Sequence, residues 1–210
     1  MPEPRLLTVA ICTHNRAAIL RDTLDHLVRA RIPAGWRVEY LVVDNASTDG
    51  TAEVARRAPL PEPAVLLHCP ELGISHARNM AVSHAKGEAI VWLDDDVRVD
   101  PGILEAYAAA LDRHPDRALF GGPVDPFFLN EPPDWVKQAP SQLWPVFSLR
   151  TVSGPDDPFE VGRTPVGANF MARTVVHHEV TMDPKFGRKA GAGPLGDGPS
   201  GGPGVLLLRQ

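Results

Sequence analysis

The sequence predicts an α/β fold: a single domain with a mostly parallel sheet, flanking helices and an irregular C-terminal half. Short apolar runs rich in β-favouring residues alternate four times with stretches whose apolar residues recur at helical spacing. Three of the runs stop abruptly at polar side chains, as buried strands do at the edge of a sheet. Such alternation favours parallel strands joined by right-handed crossovers.

The first two predicted strands each lead into a polar cluster and a helix. Residues 6–12 are apolar and stop at the tripeptide T-H-N. Asn15, the last residue of that tripeptide, is expected to cap the following helix. The apolar face of this helix consists of Leu20, Leu24, Leu27 and Val28. Residues 38–43 form the second run, which stops at Asp44 and is followed by a short helix.

The third and fourth predicted strands, residues 64–69 and 88–93, are separated by a helix of small residues. Gly73 begins this helix and Gly87 fits its C-terminal cap. Its predicted buried face consists of Ile74, Ala77 and Ala81. After the fourth strand comes one more helix, and its predicted buried stripe consists of Ile103, Leu104, Tyr107, Ala108 and Leu111.

The composition changes after the paired glycines at positions 121 and 122. Nine prolines in residues 123–165 predict an irregular segment there. Residues 166–172 read as one more strand, and residues 175–180 as a short helix or an extended segment. The alternating α/β pattern therefore belongs to the first half of the chain.

These changes divide the sequence into three parts. Residues 1–122 are the first half of the domain, residues 123–189 are its second half, and residues 190–210 are a tail. Seven glycines and three prolines lie between positions 190 and 204, with too little apolar surface to order the chain. We expect the tail to be disordered.

The overall composition excludes several classes of protein. The net charge is -5, and no Lys/Arg-rich run with interleaved aromatic residues is present, so a nucleic-acid partner is disfavoured. Cys12 and Cys69 lie in separate apolar runs, which fits reduced core thiols better than a disulfide or a zinc site. Neither a signal peptide nor an apolar run long enough to span a bilayer is visible. We expect a cytoplasmic protein, with peripheral contact at the inner face of the membrane left open.

Three consecutive carboxylates, Asp94, Asp95 and Asp96, directly follow the fourth strand. Because parallel strands end at the same edge of a sheet, these acids should share a crevice with the polar groups after strands one and two. Mg²⁺ or Mn²⁺, which prefer oxygen ligands, would stabilise acids that otherwise repel one another. A solvated acidic turn is the alternative for the triplet taken alone.

Several motifs in order resemble one enzyme family. They are V-A-I-C-T-H-N-R, V-V-D-N-A-S-T-D-G-T, G-I-S-H-A-R-N-M-A and A-K-G-E-A-I-V-W-L-D-D-D, followed more weakly by P-V-G-A-N-F-M-A-R and M-D-P-K-F-G-R. Together they resemble the family 2 glycosyltransferases of the GT-A fold. The resemblance implies that residues 1–122 bind a nucleotide-diphosphate sugar and that residues 123–189 face the acceptor.

The resemblance also implies roles for individual residues around the nucleotide. Asp44 matches a carboxylate that accepts hydrogen bonds from the base, and Thr13 and Asn15 lie where the chain meets the nucleoside. Arg78 matches an arginine that faces the nucleotide. An arginine on a helix of small residues is well placed to pair with an anion, although a solvated surface arginine is the alternative.

The acidic triplet corresponds to the family's D-x-D element. Asp96 is the expected ligand of Mg²⁺ or Mn²⁺, which would bridge the two phosphates and offset charge on the leaving nucleoside diphosphate. The two acids of the element are Asp94 and Asp96, so Asp94 is the one expected near the ribose. Asp95 is also expected on the nucleotide side, but its role is the more ambiguous. The cation is therefore an expected cofactor.

The sequence departs from the family after residue 189. The resemblance implies an acidic pair that supplies the catalytic base soon after residues 182–188. Beyond Asp183 the only acid is Asp197, flanked by glycines, which makes Asp197 a weak candidate base. We interpret the abrupt change in composition as a truncation or a shifted reading frame.

The leading hypothesis is a metal-dependent, inverting transfer of a sugar from a nucleotide-diphosphate sugar to a glycan, lipid or small-molecule acceptor. One alternative is a nucleotide-sugar-binding protein without transfer, because the expected base is missing. Another is a nucleotidyltransferase, which the absence of a glycine-rich, basic triphosphate loop disfavours. The sequence does not identify the donor, the acceptor, the stereochemistry or the oligomeric state.

Overall fold

The computed structural model describes residues 3–128, 130–134, 138, 167–185 and 205–208. Its strands are β1 (Arg5–Thr13), β2 (Trp36–Asn45), β3 (Val65–Cys69), β4 (Ala89–Leu93), β5 (Val97–Val99), β6 (Leu119–Gly121), β7 (Val124–Phe127), β8 (Asn169–Arg173) and β9 (Val205–Leu208). Its helices are α1 (Ala17–Leu27), α2 (Thr51–Arg56), α3 (Ile74–His84), α4 (Ile103–Arg113) and α5 (Thr174–Glu179). The four predicted strand–helix repeats are all present.

The main sheet has six strands in the order β3-β2-β1-β4-β8-β6. The first four strands in this order are mutually parallel, with β1 between β2 and β4. β8 runs antiparallel to both β4 and β6. A smaller sheet has the order β5-β9-β7. The α/β fold with a mostly parallel sheet is therefore confirmed, and β8 joins the second half of the chain to the first.

The central strands β1 and β4 are largely buried, in keeping with their mostly apolar sequences. Every residue of β4 is buried, as is most of β1, as expected for central parallel strands covered on both faces. Helix α1 covers one core cluster with Leu20, Leu24 and Leu27. The five predicted positions of α4 are all buried, which confirms its helical periodicity. The helices thus hold the strand ends of the sheet in place.

Helix α3 differs in two respects from its prediction. Its buried residues include Ala77 and Ala81, but Ile74 is exposed because it lies in the first turn, at the edge of the helix contact. Gly87 does not cap the helix, which ends at His84 with Ala85 in the C-cap position. A β-carbon at Gly87 would lie 2.5 Å from the backbone nitrogen of Thr8, so this glycine permits close approach of the chain to β1.

The predicted cap of α1 is also wrong. Arg16 occupies the cap position, and its side chain makes no capping hydrogen bond. The carboxylate of Asp49 instead accepts a hydrogen bond from the N–H of Ala17 at 3.2 Å. Asn15 adopts a left-handed conformation with φ of 50°, and its Oδ1 accepts a hydrogen bond from the N–H of Thr48 at 2.7 Å. The loop after β2 therefore caps α1 from outside its own segment.

The C-terminal part of the chain is described in pieces. Residues 190–204 lie outside the described residues, so the disorder predicted for them stays a prediction. At 205–208 the structure has strand β9, whose four consecutive apolar residues suit a strand between β5 and β7. The division at residues 122 and 189 also stays a prediction. Among the described residues, no helix combines the length and apolar character needed to cross a membrane.

Candidate functional site

The candidate site lies where β1, β2 and β4 end side by side. Thr13 and Asp44 are paired residues at the ends of β1 and β2. Leu93, the last residue of β4, pairs with Ile11 of β1, so Asp94 follows at the same edge. The structure therefore brings together the three polar clusters that the sequence placed after these strands. We call the group formed by Asp44, Asp94, Asp95 and Asp96 the carboxylate crevice.

Asp44 is buried at the end of β2, and its two oxygens have different surroundings. Oδ1 accepts a hydrogen bond from the N–H of Ser47 at 3.1 Å, which closes the turn after β2. Oδ2 lies 3.6 Å from Nδ1 of His68, an exposed residue on the edge strand β3. The carboxylate thus supports the turn with one oxygen and keeps the other beside an exposed imidazole, where it can accept hydrogen bonds from a ligand.

Asn45, next to Asp44, fixes the loop that leads into α3. Its Nδ2 donates to the carbonyl of Glu71 at 2.6 Å, and its Oδ1 accepts from the N–H of Gly73 at 2.8 Å. Gly73 has φ of 145°, a conformation that favours glycine. Asn45 therefore fixes the position at which α3 begins. Because Arg78 lies on α3, Asn45 also helps to set the position of Arg78 relative to the carboxylate crevice. The sequence indicated Asn45 only as part of a polar cluster.

The three acids after β4 are not equivalent. Asp95 is buried, its Oδ1 lies 2.5 Å from Nη1 of Arg16, and its carbonyl accepts a hydrogen bond from the hydroxyl of Thr23 at 2.8 Å. Asp96 is more exposed, and its Oδ2 lies 3.1 Å from Nη2 of Arg16. Asp94 contacts a different arginine: its Oδ1 lies 3.9 Å from Nη2 of Arg78 on α3. Asp95 is therefore the buried one of the three acids, whereas Asp94 and Asp96 are partly exposed.

Thr13 is buried beside Asp95. Burial raises the pKa of Asp95, while Arg16 and the Thr13 hydroxyl act in the opposite direction. The hydroxyl nevertheless makes no hydrogen bond of good geometry, and among the described residues Tyr40 is the other buried side chain in that condition. A buried hydroxyl without a partner costs free energy, so at this edge it is a candidate donor to a ligand.

The electrostatics of the crevice favour added positive charge. Burial and the nearby Asp96 raise the pKa of Asp94 to about 6, although Arg78 lowers it. Like charges raise a carboxyl pKa because each ionised group destabilises its neighbour. The carboxylates are therefore incompletely neutralised by the arginines around them.

The donor set fits a magnesium or manganese ion that also binds a ligand. Among the described residues, no group of three or more acidic, histidine or cysteine side chains is arranged to hold an ion by itself. Mg²⁺ commonly binds one or two carboxylates and completes its shell with water and substrate phosphates. Asp94 and Asp96 supply two such carboxylates, two positions apart in the loop after β4. The residues present fit a cation shared with phosphate.

Arg78 lies at the junction between the two halves of the chain. Its Nη2 is 3.9 Å from Oδ1 of Asp94, and its guanidinium carbon lies 5.7 Å from the ring centroid of Trp92 and 5.9 Å from that of Phe170. A β-carbon at Gly167 would be 3.6 Å from the same Nη2. The side chain is only 23% exposed, so it is not the solvated surface arginine that was the alternative.

Asn79, adjacent to Arg78, holds the loop after α5. Its Nδ2 donates to the carbonyl of Met182 at 2.8 Å, and its Oδ1 accepts from the N–H of Met182 at 2.9 Å. This two-point contact attaches the segment expected to face the acceptor to the helix that carries Arg78. The motif R-N-M contained this residue, but nothing in the sequence identified its partner, 103 positions away.

The second half supports the site with neutral hydrogen bonds. Asn169 is fully buried, its Oδ1 accepts from Tyr107 Oη at 2.6 Å, and its Nδ2 donates to the carbonyl of Pro123 at 2.9 Å. His177 is buried, and its Nε2 lies 3.1 Å from Nε1 of Trp92 as an acceptor. Burial lowers the pKa of His177, which keeps the imidazole neutral. None of these contacts was predicted from the sequence.

Two sequence predictions concern residues outside or beside the site. Asp197, the candidate base, lies outside the described residues and stays a prediction. Cys12 and Cys69 are free thiols, as expected for core cysteines. Burial raises the pKa of Cys12 to about 12, so its thiol stays protonated near neutral pH.

Comparisons with known proteins agree with this geometry. The model of the family described as Glycosyl transferase family 2 matches residues 8–180. Succinoglycan biosynthesis protein ExoM from Rhizobium meliloti is 28% identical over 140 residues, which are 65% of this chain and 45% of that protein. This chain therefore spans less than half of the length of that relative.

Solved structures share the fold. The crystal structure of TarS from Staphylococcus aureus in complex with UDP-GlcNAc has a TM-score of 0.59 and 19% identity, covering 82% of this chain and 46% of that one. Glucosyl-3-phosphoglycerate synthase from Mycobacterium tuberculosis, in complex with Mn²⁺ and UDP-glucose, has a TM-score of 0.54 and 14% identity, covering 84% and 58%. The GT-A fold expected from the sequence is thereby confirmed.

Proposed function

This chain belongs to the glycosyl transferase family 2, and we propose that it binds a nucleotide-diphosphate sugar with a divalent cation and transfers the sugar to an acceptor hydroxyl. One observation carries the proposal. The ends of β1, β2 and β4 bring Thr13, Asp44 and the three acids after β4 into one crevice, and Arg78 faces it from α3. Each of these groups suits a different part of a nucleotide sugar.

The base and nucleoside would lie on the side of β2. The free oxygen of Asp44 accepts hydrogen bonds from donor groups of the base, and the Thr13 hydroxyl and Asp94 lie next to it at the strand ends. Asn15 was predicted to contact the nucleotide as well. Its side chain already holds the loop after β2, so we propose that it shapes this end of the site.

The diphosphate would lie between Asp96 and Arg78. Asp96 and Asp94 would hold Mg²⁺ or Mn²⁺, which when bound neutralises charge on the leaving diphosphate. Arg78 provides a guanidinium that pairs with phosphate oxygens as charge builds there. Asp95 supports the two outer acids through its buried contacts, since its carboxylate is bound by Arg16 and its carbonyl accepts a hydrogen bond from Thr23.

The acceptor would approach from the side of β8 and α5. Asn79, next to Arg78 on α3, holds the backbone of Met182, and this contact supports an approach of the acceptor from that side. Displacement with inversion needs a carboxylate to take the proton of the acceptor hydroxyl, and within the 210 residues Asp197 is a candidate for that base. We propose no particular acceptor.

A second candidate function is donor binding without transfer. It is favoured by the single acid beyond Asp183, Asp197, where the family resemblance implies an acidic pair. Calorimetric binding of a nucleotide sugar, with no release of nucleoside diphosphate when acceptors are added, would support it. Release of nucleoside diphosphate that depends on an acceptor would support transfer.

A thermal-shift screen tests the binding proposal. UDP, GDP and their sugar conjugates are the first probes, because solved structures of this fold hold UDP-GlcNAc and UDP-glucose. We expect one nucleoside diphosphate to raise the unfolding temperature and Mn²⁺ to enlarge the rise, because ligand binding stabilises the native state by mass action. The matching monophosphate should benefit less from Mn²⁺. Absence of any shift with every diphosphate, with or without Mn²⁺, contradicts the proposal.

A further inference from the structure

Arg16 connects two of the three acids after β4 through one guanidinium group. Nη1 lies 2.5 Å from Oδ1 of Asp95, and Nη2 lies 3.1 Å from Oδ2 of Asp96. Hydrogen bonds between a guanidinium and carboxylates are short and strong because both partners are charged. Arg16 therefore occupies the position of a counter-cation within the carboxylate crevice.

The position of Arg16 is set by its backbone. Its N–H donates to the hydroxyl of the buried Thr51 at 3.1 Å, and the N–H of Ala17 donates to Asp49 at 3.2 Å. Its carbonyl accepts from the N–H of Leu20 at 2.9 Å, as the first hydrogen bond of α1. The loop after β2 thus anchors Arg16 at the start of α1, and its side chain reaches the loop after β4.

The two carboxylates bound by Arg16 differ in how easily they can change partners. The side chain of Asp95 is 7% exposed, so it would lose its compensating charge without gaining water if Arg16 left. The side chain of Asp96 is 29% exposed, and water or a cation can replace Arg16 there. Arg16 can therefore retain its contact with Asp95 while its contact with Asp96 is broken.

We propose that Arg16 competes with the divalent cation for Asp96 and yields it when a nucleoside diphosphate binds. This inference rests on the proposed function, which places the cation at Asp96. A guanidinium and a divalent cation repel each other at a shared carboxylate, so the cation alone binds weakly. The phosphates offer Nη2 of Arg16 a new anionic partner, and the cation then gains Asp96. Cation and nucleotide binding are coupled, and the coupling is reciprocal.

The proposal has a signature that damage to the fold would not produce. Removal of the Arg16 guanidinium should strengthen binding of Mn²⁺ alone, because a competitor is lost. The same change should reduce the factor by which a nucleoside diphosphate strengthens Mn²⁺ binding. A disrupted site would weaken Mn²⁺ binding under both conditions.

The test measures free Mn²⁺ by electron paramagnetic resonance in titrations of the wild type, Arg16→Gln and Arg21→Gln. Arg21 is an exposed arginine on the same helix, so its replacement removes an equal charge away from the crevice. We expect Arg16→Gln to bind Mn²⁺ alone roughly 5-fold or more tightly than either other protein, the usual scale of coupling between sites. Saturating UDP or GDP, whichever stabilises the wild type more, should then improve Mn²⁺ binding less than in the wild type.

Two further variants keep the test decisive if Arg16→Gln unfolds. Arg16→Lys retains the charge, but one ammonium cannot reproduce the forked contact, so it should bind Mn²⁺ alone more tightly than the wild type does. The double variant Arg16→Gln/Asp95→Asn removes the buried charge left without a partner and should also bind Mn²⁺ more tightly. Unchanged or weaker Mn²⁺ binding in the folded variants overturns the proposal.

The titrations also separate this inference from the proposed function. If the wild type shows no strengthening of Mn²⁺ binding by UDP or GDP, the shared cation and nucleotide site is wrong, and the role of Arg16 falls with it. If the wild type shows strengthening and Arg16→Gln shows the same Mn²⁺ affinity and the same strengthening, the site stands and only the role of Arg16 is wrong.

Discussion

Buried polar side chains occur in two neighbouring regions that differ in charge. In the carboxylate crevice, Asp44 and Asp95 are buried, and partial burial together with the nearby Asp96 raises the pKa of the more exposed Asp94 to about 6. Around β8 and α5, neutral groups find neutral partners: Asn169 pairs with Tyr107, and the Thr174 hydroxyl donates to the carbonyl of Gly87 at 2.5 Å. The first arrangement lowers the stability of the free protein and suits a ligand. The second stabilises the junction that holds the crevice in place.

The largest expected effect is in the crevice. Asp96→Ala should abolish the cation dependence of nucleoside diphosphate binding, because a main proposed carboxylate ligand of the cation is lost. Calorimetry with and without Mn²⁺ measures it. Asp25→Ala, an exposed acid on α1, is the matched control and should retain the dependence. Unchanged Mn²⁺-dependent affinity in Asp96→Ala would remove this residue from the metal site.

The next effect belongs to the β8 region and concerns stability. Asn169→Ala should lower the free energy of unfolding by about 2–6 kcal/mol, since the buried Tyr107 hydroxyl and the partly buried Pro123 carbonyl each lose a contact worth roughly 1–3 kcal/mol. Urea denaturation measures this loss. Val175→Ala, an exposed position on α5, should change stability little. Folded Asn169→Ala should bind nucleotide with the affinity of the wild type. A loss of that affinity without a loss of stability would show that the β8 region takes part in binding and does not only stabilise the fold.

A moderate effect is expected at the nucleoside end of the crevice. Asp44→Ala should weaken nucleoside diphosphate binding by about 1–3 kcal/mol in the absence of Mn²⁺, because a hydrogen-bond donor of the base loses its acceptor. Titration in EDTA measures the change. His68→Ala, beside Asp44 but not assigned to the base, is the comparison. Equal affinities of Asp44→Ala and the wild type would exclude Asp44 from the site.

The smallest expected effect is a gain in stability instead of a loss, and its size depends on pH. The pKa of Asp94 is raised in the folded protein, so its ionisation lowers stability as pH rises from its ordinary value near 4 to about 6. Asp94→Asn should therefore unfold at a higher temperature than the wild type at pH 8 in EDTA. The difference should shrink as pH falls through this window, because the wild-type carboxyl becomes neutral as well.

Thermal unfolding of both proteins between pH 4 and pH 8 measures this difference. A constant difference across the range would show that Asp94→Asn acts through packing rather than through charge. A lower unfolding temperature of Asp94→Asn at pH 8 would contradict the view that the crevice lowers stability in the free protein.

Much of the fold was predictable because its signals are local. The apolar runs of β1, β2 and β4 and the stripe of α4 each depend on a few consecutive residues. The errors arose where a distant partner replaced a local one. Asn15 did not cap α1, because Asp49 supplies that hydrogen bond from the next loop. Gly87 did not cap α3, because its role is to approach β1.

The sequence by itself determined that Thr13, Asp44 and the three acids meet at one edge, because parallel strands must end together. Only the tertiary structure decided which of those acids is buried and which arginine each one contacts. Arg16 contacts both Asp95 and Asp96, yet the side chain of Asp95 is buried whereas that of Asp96 is partly exposed. Arg16 precedes Asp95 by 79 residues in the chain. Side-chain pairing over such separations depends on packing of the whole sheet, and local sequence patterns carry no record of it.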